Sequence, residues 1–189
     1  ILYDEAVYPS GSAHGLVVAS NPKFAYQAII LAANMAEGKL IAKNESGKYI
    51  MQVNSNGRIR GIHFGEDDGQ PNAPLAADLL NQDSVNKFIE LTHERYYAEV
   101  KKYFGNTIIG FFTDEPSSLG RGARRGCFPW TWDFEKVIEG LGGKLTDLEA
   151  LYRGESNETI EIYKKALFER ENDIYYRSLS EWCENHGIA

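Results

Sequence analysis

Five carboxylates stand where a folded chain can bring them together. Asp4 and Glu5 follow the short apolar run Ile1-Leu2-Tyr3, Asp78 follows Ala76-Ala77, and Asp114 and Glu115 follow Thr107-Ile108-Ile109-Gly110-Phe111-Phe112. Each apolar run reads as a buried strand that exits into a polar loop. Carboxylates at neighbouring strand exits share one cleft, where mutual repulsion and partial burial keep some protonated and leave others ionised. Glycoside hydrolysis needs that division: one carboxyl protonates the leaving oxygen, and a second carboxylate serves as base or nucleophile. Glu115, in Thr113-Asp114-Glu115-Pro116, is the candidate acid. Asp4, Glu5, Asp78 and Asp114 are candidate ligands of sugar hydroxyls, and Asp4 and Glu5 also suit an oxygen-lined calcium site. The plainer readings are structural: Asp-Glu-Pro makes a turn, and an Asp ahead of Leu79-Leu80-Asn81 starts one.

Side chains that grip sugars lie close to these carboxylates in sequence. Aromatic residues are dense, with 11 Tyr, 9 Phe and 3 Trp. Tyr8, Phe128, Trp130 and Trp132 fall in loops after the acidic runs, and Trp130 is the candidate for stacking on a sugar ring, although such rings also fill cores. His14, in the loop after Asp4-Glu5, can hydrogen-bond a substrate hydroxyl. Arg121, Arg124 and Arg125 can hold a carboxylate-bearing sugar or simply solvate their loop. Other chemistries lack their residues. The chain has no Gly-x-Ser-x-Gly elbow, no phosphate loop and no His-Glu-x-x-His.

The elements that must position these groups alternate in type. Asn21-Pro22 opens a predicted helix with Ala25, Ile29, Ala32 and Ala36 on one face, closed by Gly38. From 39 to 75 the pattern turns β-rich, with Tyr49 to Val53 and Arg58 to Ile62 flanking a hairpin turn at Asn56-Gly57. Ser84 caps a long helix with Val85, Phe88 and Tyr96 on one face, ended by Gly105. A helix around Phe134 to Leu141, a capping box at Thr146-x-x-Glu149 and a long helix from Asn157 to Asn185 complete the chain. Short buried strands alternating with helices predict a parallel sheet of βα units, here a partial (βα)8 TIM-barrel segment with a β-hairpin insertion at 39–75.

The chain has 189 residues and a formal net charge of -7. That charge repels phosphate backbones and argues against a nucleic-acid partner. No apolar run reaches the roughly 20 residues that span a bilayer. Cys127 and Cys183 have neither disulfide-framework nor zinc spacing.

Three segments, in order, carry a resemblance to a known family. They are Leu2-Tyr3-Asp4-Glu5 leading into Tyr8-Pro9-Ser10-Gly11, Phe88 to Glu94, and Gly110-Phe111-Phe112-Thr113-Asp114-Glu115-Pro116; Glu181 to Gly187 extends the likeness. Together they resemble the catalytic barrel of glycoside hydrolase family 106. The resemblance implies an α-L-rhamnosidase-like hydrolase that works with inversion, depends on calcium (Ca2+) and removes a terminal sugar from an oligosaccharide or glycoside. It matches Glu115 to the strand-end acid and Asp4-Glu5 to the strand end lining the sugar pocket. The chain departs from the family pattern at Tyr8 and at Ser12-Ala13-His14-Gly15. It further reads as the central part of a longer barrel, inactive in isolation and prone to self-association through open strand edges. Two alternatives stand beside this reading: a retaining glycosidase of the Asn-Glu-Pro clan, and a non-catalytic carbohydrate-binding protein on a degenerate barrel.

Overall fold

The computed structural model describes residues 1–3, 21–58, 75–113 and 116–189. Its strands are β1 (Leu2–Tyr3), β2 (Gln27–Ala32), β3 (Lys39–Lys43), β4 (Tyr49–Asn54), β5 (Phe111–Phe112) and β6 (Phe128–Trp130). Its α-helices are α1 (Gln82–Leu91), α2 (His93–Val100), α3 (Phe134–Gly140), α4 (Ala150–Arg153), α5 (Glu158–Glu171) and α6 (Arg177–Asn185).

The main sheet corrects the barrel expectation. Its order is β3-β4-β2-β6 and every pairing in it is antiparallel. Parallel pairing between named strands joins only β1 and β5, with Leu2 opposite Phe111 and Tyr3 opposite Phe112. The molecule is a mixed α/β domain and not a segment of a (βα)8 barrel. The misreading has a physical origin at residues 21–38. Asn21 does cap a turn, its side chain accepting from the Lys23 amide, but that 3-10 turn ends at Phe24. The next residues then run extended as β2, flanked on one edge by β4 and on the other by β6. Ile29 and Ile30 favour that conformation, and pairing on both edges overrides the helical spacing of the alanines.

The described β-hairpin is a different one from that expected at Asn56-Gly57, whose second run, Arg58 to Ile62, lies from residue 59 on outside the described residues. It joins β3 to β4 through Asn44–Lys48, where the Asn44 side chain accepts from the Lys48 amide at 2.7 Å. This hairpin supplies half of the main sheet and is no appendage. Asn56-Gly57 does take an unusual conformation, with Asn56 at φ 58°. Its role is a close crossing: a Cβ on Gly57 would sit 1.8 Å from the Leu119 carbonyl oxygen, so only glycine fits.

Four buried clusters form among the described residues, two large and two small, and one of the small ones, Ala28, Ala32, Met51 and Val53, lies on the sheet itself. Ile29, Ile50, Trp130, Phe134, Ile138, Ile160 and Tyr163 are buried between the sheet and helices α3 and α5. Tyr26, Leu79, Val85, Phe88 and Tyr175 form the second core, under α1. The predicted helix after Ser84 begins earlier, with Asn81 as its cap, and breaks at Thr92 into α1 and α2. The expected capping box at Thr146 is replaced by a 3-10 turn, Leu145–Glu149, without a side-chain cap. The long last helix forms as α5 and α6 joined through a π turn, Asn172–Tyr176, with Asn157 capping its start.

Candidate functional site

Three elements converge on Asp78. Ala77 forms a single antiparallel bridge to Ala25, and the Asp78 amide donates to the Phe24 carbonyl at 2.6 Å, fixing the backbone just ahead of α1. The carboxylate then turns inward. One oxygen accepts from the Leu80 amide at 2.9 Å, and the other accepts from the Thr131 hydroxyl at 2.7 Å, which lies just beyond β6. Arg170 on α5 braces the same corner, donating to the Leu80 carbonyl at 2.9 Å and pairing with Asp133 at 2.9 Å. Asp78 is only 1% exposed. Burial pushes its pKa up to about 7, against the downward pull of the Thr131 and Leu80 hydrogen bonds and of the Arg170 charge. Near neutral pH this carboxyl is therefore partly protonated.

Asp78 forms the floor of a cleft of about 450 Å³, within the usual size range of small-molecule sites. Gln27 and Gln52 reach it from β2 and β4, Asn81 and Asp83 from the start of α1, and Lys23 from the preceding turn. The Gln52 Oε1 atom is buried and accepts no hydrogen bond from the described residues. Lys23 and Asp83 pair across the mouth at 2.5 Å. Trp132 lines the cleft with its indole 57% exposed. An exposed apolar ring beside amides, a carboxylate and an ammonium is the mixture that binds a sugar: the ring takes the C–H face and the polar groups take the hydroxyls.

A second group lies where β5 ends. The Thr113 hydroxyl hydrogen-bonds the Tyr175 hydroxyl at 3.0 Å, tying the strand exit to the π turn. π turns inserted in α-helices recur at functional sites. Glu171, just ahead of that turn, accepts from the Ser118 hydroxyl at 3.3 Å, and burial pushes its pKa up. The neighbouring His93 is fully buried against Phe88, Phe111 and Trp182, and burial together with His186 brings it down to about 4.

Of the residues singled out from sequence, Asp78 lies in the cleft. Trp130 does not: it is 0% exposed, packed against Phe134 and Tyr163 in the core, and the exposed indole is that of Trp132 two residues on. Asp4, Glu5, His14, Asp114 and Glu115 lie outside the described residues. The parallel pairing does put the ends of β1 and β5, which lead into four of them, side by side. Gln27, Gln52, Asn81, Thr131, Arg170 and Glu171 were not singled out, and only the Thr131-Trp132 step beside a predicted aromatic cluster offered a signal.

Among the described residues, no group of three or more Asp, Glu, His or Cys is placed to hold a metal ion. Asp4 and Glu5, the candidate calcium ligands, lie outside the described residues. No helix among them is long and apolar enough to cross a membrane. No protein-family model matches this chain, and neither a curated protein nor a solved structure matches it.

Proposed function

We propose that this chain is carbohydrate-active, belonging to a glycoside hydrolase that removes a terminal sugar from an oligosaccharide or glycoside. The observation that carries the reading is the Trp132 cleft, in which an exposed indole faces Gln27, Gln52, Asn81 and Asp83 above the buried Asp78 carboxyl. The ordered resemblance of short segments to glycoside hydrolase family 106 supports it in sequence alone, since the main sheet is antiparallel and not that family's barrel. In this reading Trp132 stacks on a pyranose, and the amides and Asp83 hold its hydroxyls. Asp78 is a positioning residue that fixes Thr131 and so aims Trp132. Glu115 gives its proton to the glycosidic oxygen as the bond to C1 breaks. A second carboxylate deprotonates the water that attacks C1 from the opposite face, which inverts the anomeric centre.

A second reading is a carbohydrate-binding protein without turnover. It is favoured by the two carboxylates that line the cleft: both Asp78 oxygens are taken by protein donors, and Asp83 is paired with Lys23. One experiment separates them. Monosaccharides, L-rhamnose among them, are titrated into the chain while tryptophan fluorescence is followed, and an aryl α-L-rhamnoside is assayed for release of the aryl group. Binding with turnover that Glu115→Gln abolishes on a poor leaving group supports the hydrolase. Binding without turnover supports the second reading, and no saturable binding of any sugar rejects both.

A further inference from the structure

A second cavity, of about 390 Å³, opens where the main sheet comes apart. β6 pairs with β2 at Gln27–Ile29 and no further, so among the described residues no strand lies beside β2 on that edge from Ile30 to Ala32. The segment leading into β6 swings away instead, turning at Gly126 with φ 69°. The gap is lined by Ile30 to Ala33 on one side and by Arg124 and Arg125 on the other, with Asn34 and Glu37 closing the end.

Its charge runs against that of the molecule. In a chain of net charge -7, the charged residues lining it are two arginines, Arg124 and Arg125, and one carboxylate, Glu37. Glu37 holds the Arg124 guanidinium at 3.2 Å and so orients it along the cavity. The Arg124 backbone is anchored separately, its amide donating to the Ser55 carbonyl at 2.8 Å and its carbonyl accepting from the Cys127 thiol at 2.9 Å. Among the described residues no carboxylate pairs with Arg125. Asn34 uses its Oδ1 to accept from the Ala36 amide at 3.0 Å, which leaves its side-chain N–H groups to donate.

We propose that this cavity is a subsite for an acidic sugar, a uronic acid residue of a longer glycan. The ligand carboxylate accepts from the guanidinium groups of Arg125 and Arg124, whose planar forks suit it. A ring hydroxyl accepts from the Asn34 amide, and another donates to Glu37. The pairing of Glu37 with Arg124 already in place means that only one guanidinium must be ordered on binding, which lowers the entropic cost. This proposal rests on the carbohydrate reading above, and names the substrate class that reading leaves open.

The test follows backbone amides and arginine side-chain N–H resonances by NMR while D-glucuronate, D-glucose or sodium acetate is added to the full chain. The expected result is a saturable shift at Ile30 to Ala33, Gly126 and the Arg125 side chain with glucuronate, and none of comparable affinity with glucose or acetate. Arg125→Ala weakens the glucuronate response by about tenfold, the size of one lost charge-assisted hydrogen bond, and Arg125→Lys restores part of it. Equal responses to acetate and glucuronate, or equal responses to glucose and glucuronate, overturn the proposal, as does an unchanged affinity in Arg125→Ala. The Trp132 indole resonance separates the two claims. If glucose moves it while glucuronate leaves the arginine cavity untouched, the acidic subsite falls and the carbohydrate reading stands. If no sugar moves either, both fall.

Discussion

The antiparallel sheet and the parallel pair are built from similar residues and covered very differently. In the sheet, Ile29, Ile50 and Trp130 are each 0% exposed beneath α3 and α5. In the pair, Phe111 is covered by His93 and Trp182, but Phe112 remains 48% exposed and Ile109 60%. Parallel strands ordinarily have both faces buried, and among the described residues the cover over β5 is complete at neither Ile109 nor Phe112. The pair still has order on its edges: the Ala189 amide donates to the Ile109 carbonyl, and the Phe111 amide donates to the Ala189 carbonyl, as in a parallel bridge. The sheet therefore supplies the stability, whereas the pair presents its strand ends.

Truncations in the two regions should differ most. Phe134→Ala empties a site in the sheet core and is expected to cost about 3–5 kcal/mol, whereas Ile109→Ala, at the more exposed entry to β5, should cost less than about 1 kcal/mol. Chemical denaturation of both variants measures the contrast, and similar losses would mean that Ile109 is covered in solution.

The next effect is electrostatic and belongs to Asp78. A carboxyl held at about 7 in the folded state but near 3.8 when unfolded is protonated in the native protein and ionised in the unfolded chain between those values. Its contribution therefore lowers stability as pH rises from about 4 to about 7 and is constant above, by up to about 4 kcal/mol in all. His93 has the opposite sign, since its depressed pKa makes stability rise with pH between about 4 and 6.5. The Asp78 slope is thus read as the difference between wild type and Asp78→Asn in denaturation midpoints across that range. Parallel curves for the two proteins would remove the raised pKa from the account.

Smaller again is the brace on the cleft. Arg170→Met removes the pair to Asp133 and the hydrogen bond to the Leu80 carbonyl, both largely shielded from solvent, and should cost about 2 kcal/mol. At the cleft mouth the Lys23–Asp83 pair is more than half exposed on both sides, so Lys23→Ala should change stability by less than about 0.5 kcal/mol. A thermal melt of each variant orders the two.

How much of this was legible in the sequence follows from the range of the interactions involved. Asn21-Pro22 marks a cap, but of a three-residue 3-10 turn and not of the expected helix, whereas the Asn157 cap and the α5–α6 helix were readable because caps and periodicity are local. The identity of β2 as a strand was not, because its state is decided by β4 and β6, which pair with it from distant parts of the chain. Alternation of strands and helices implied crossovers, and a single strand misread as a helix was enough to turn an antiparallel sheet into a parallel one. The site divides in the same way. Asp78 was visible as an acid at the end of an apolar run. Thr131 and Arg170 reach it across 53 residues and, through Leu80, 90 residues, a separation no local pattern encodes. Trp130 and Trp132 are indistinguishable in sequence, and the β6 pairing is what buries the first while the second is exposed.

The central claim is that the Trp132 cleft holds a sugar, and the most direct measurement is saturable quenching or enhancement of tryptophan fluorescence by sugar in wild type against Trp132→Ala. Because Trp130 is buried and Trp182 is only 7% exposed, the response belongs to Trp132. The account predicts a saturable change in wild type that disappears in Trp132→Ala with the fold intact by circular dichroism. Saturable sugar binding of equal affinity in both proteins would contradict it.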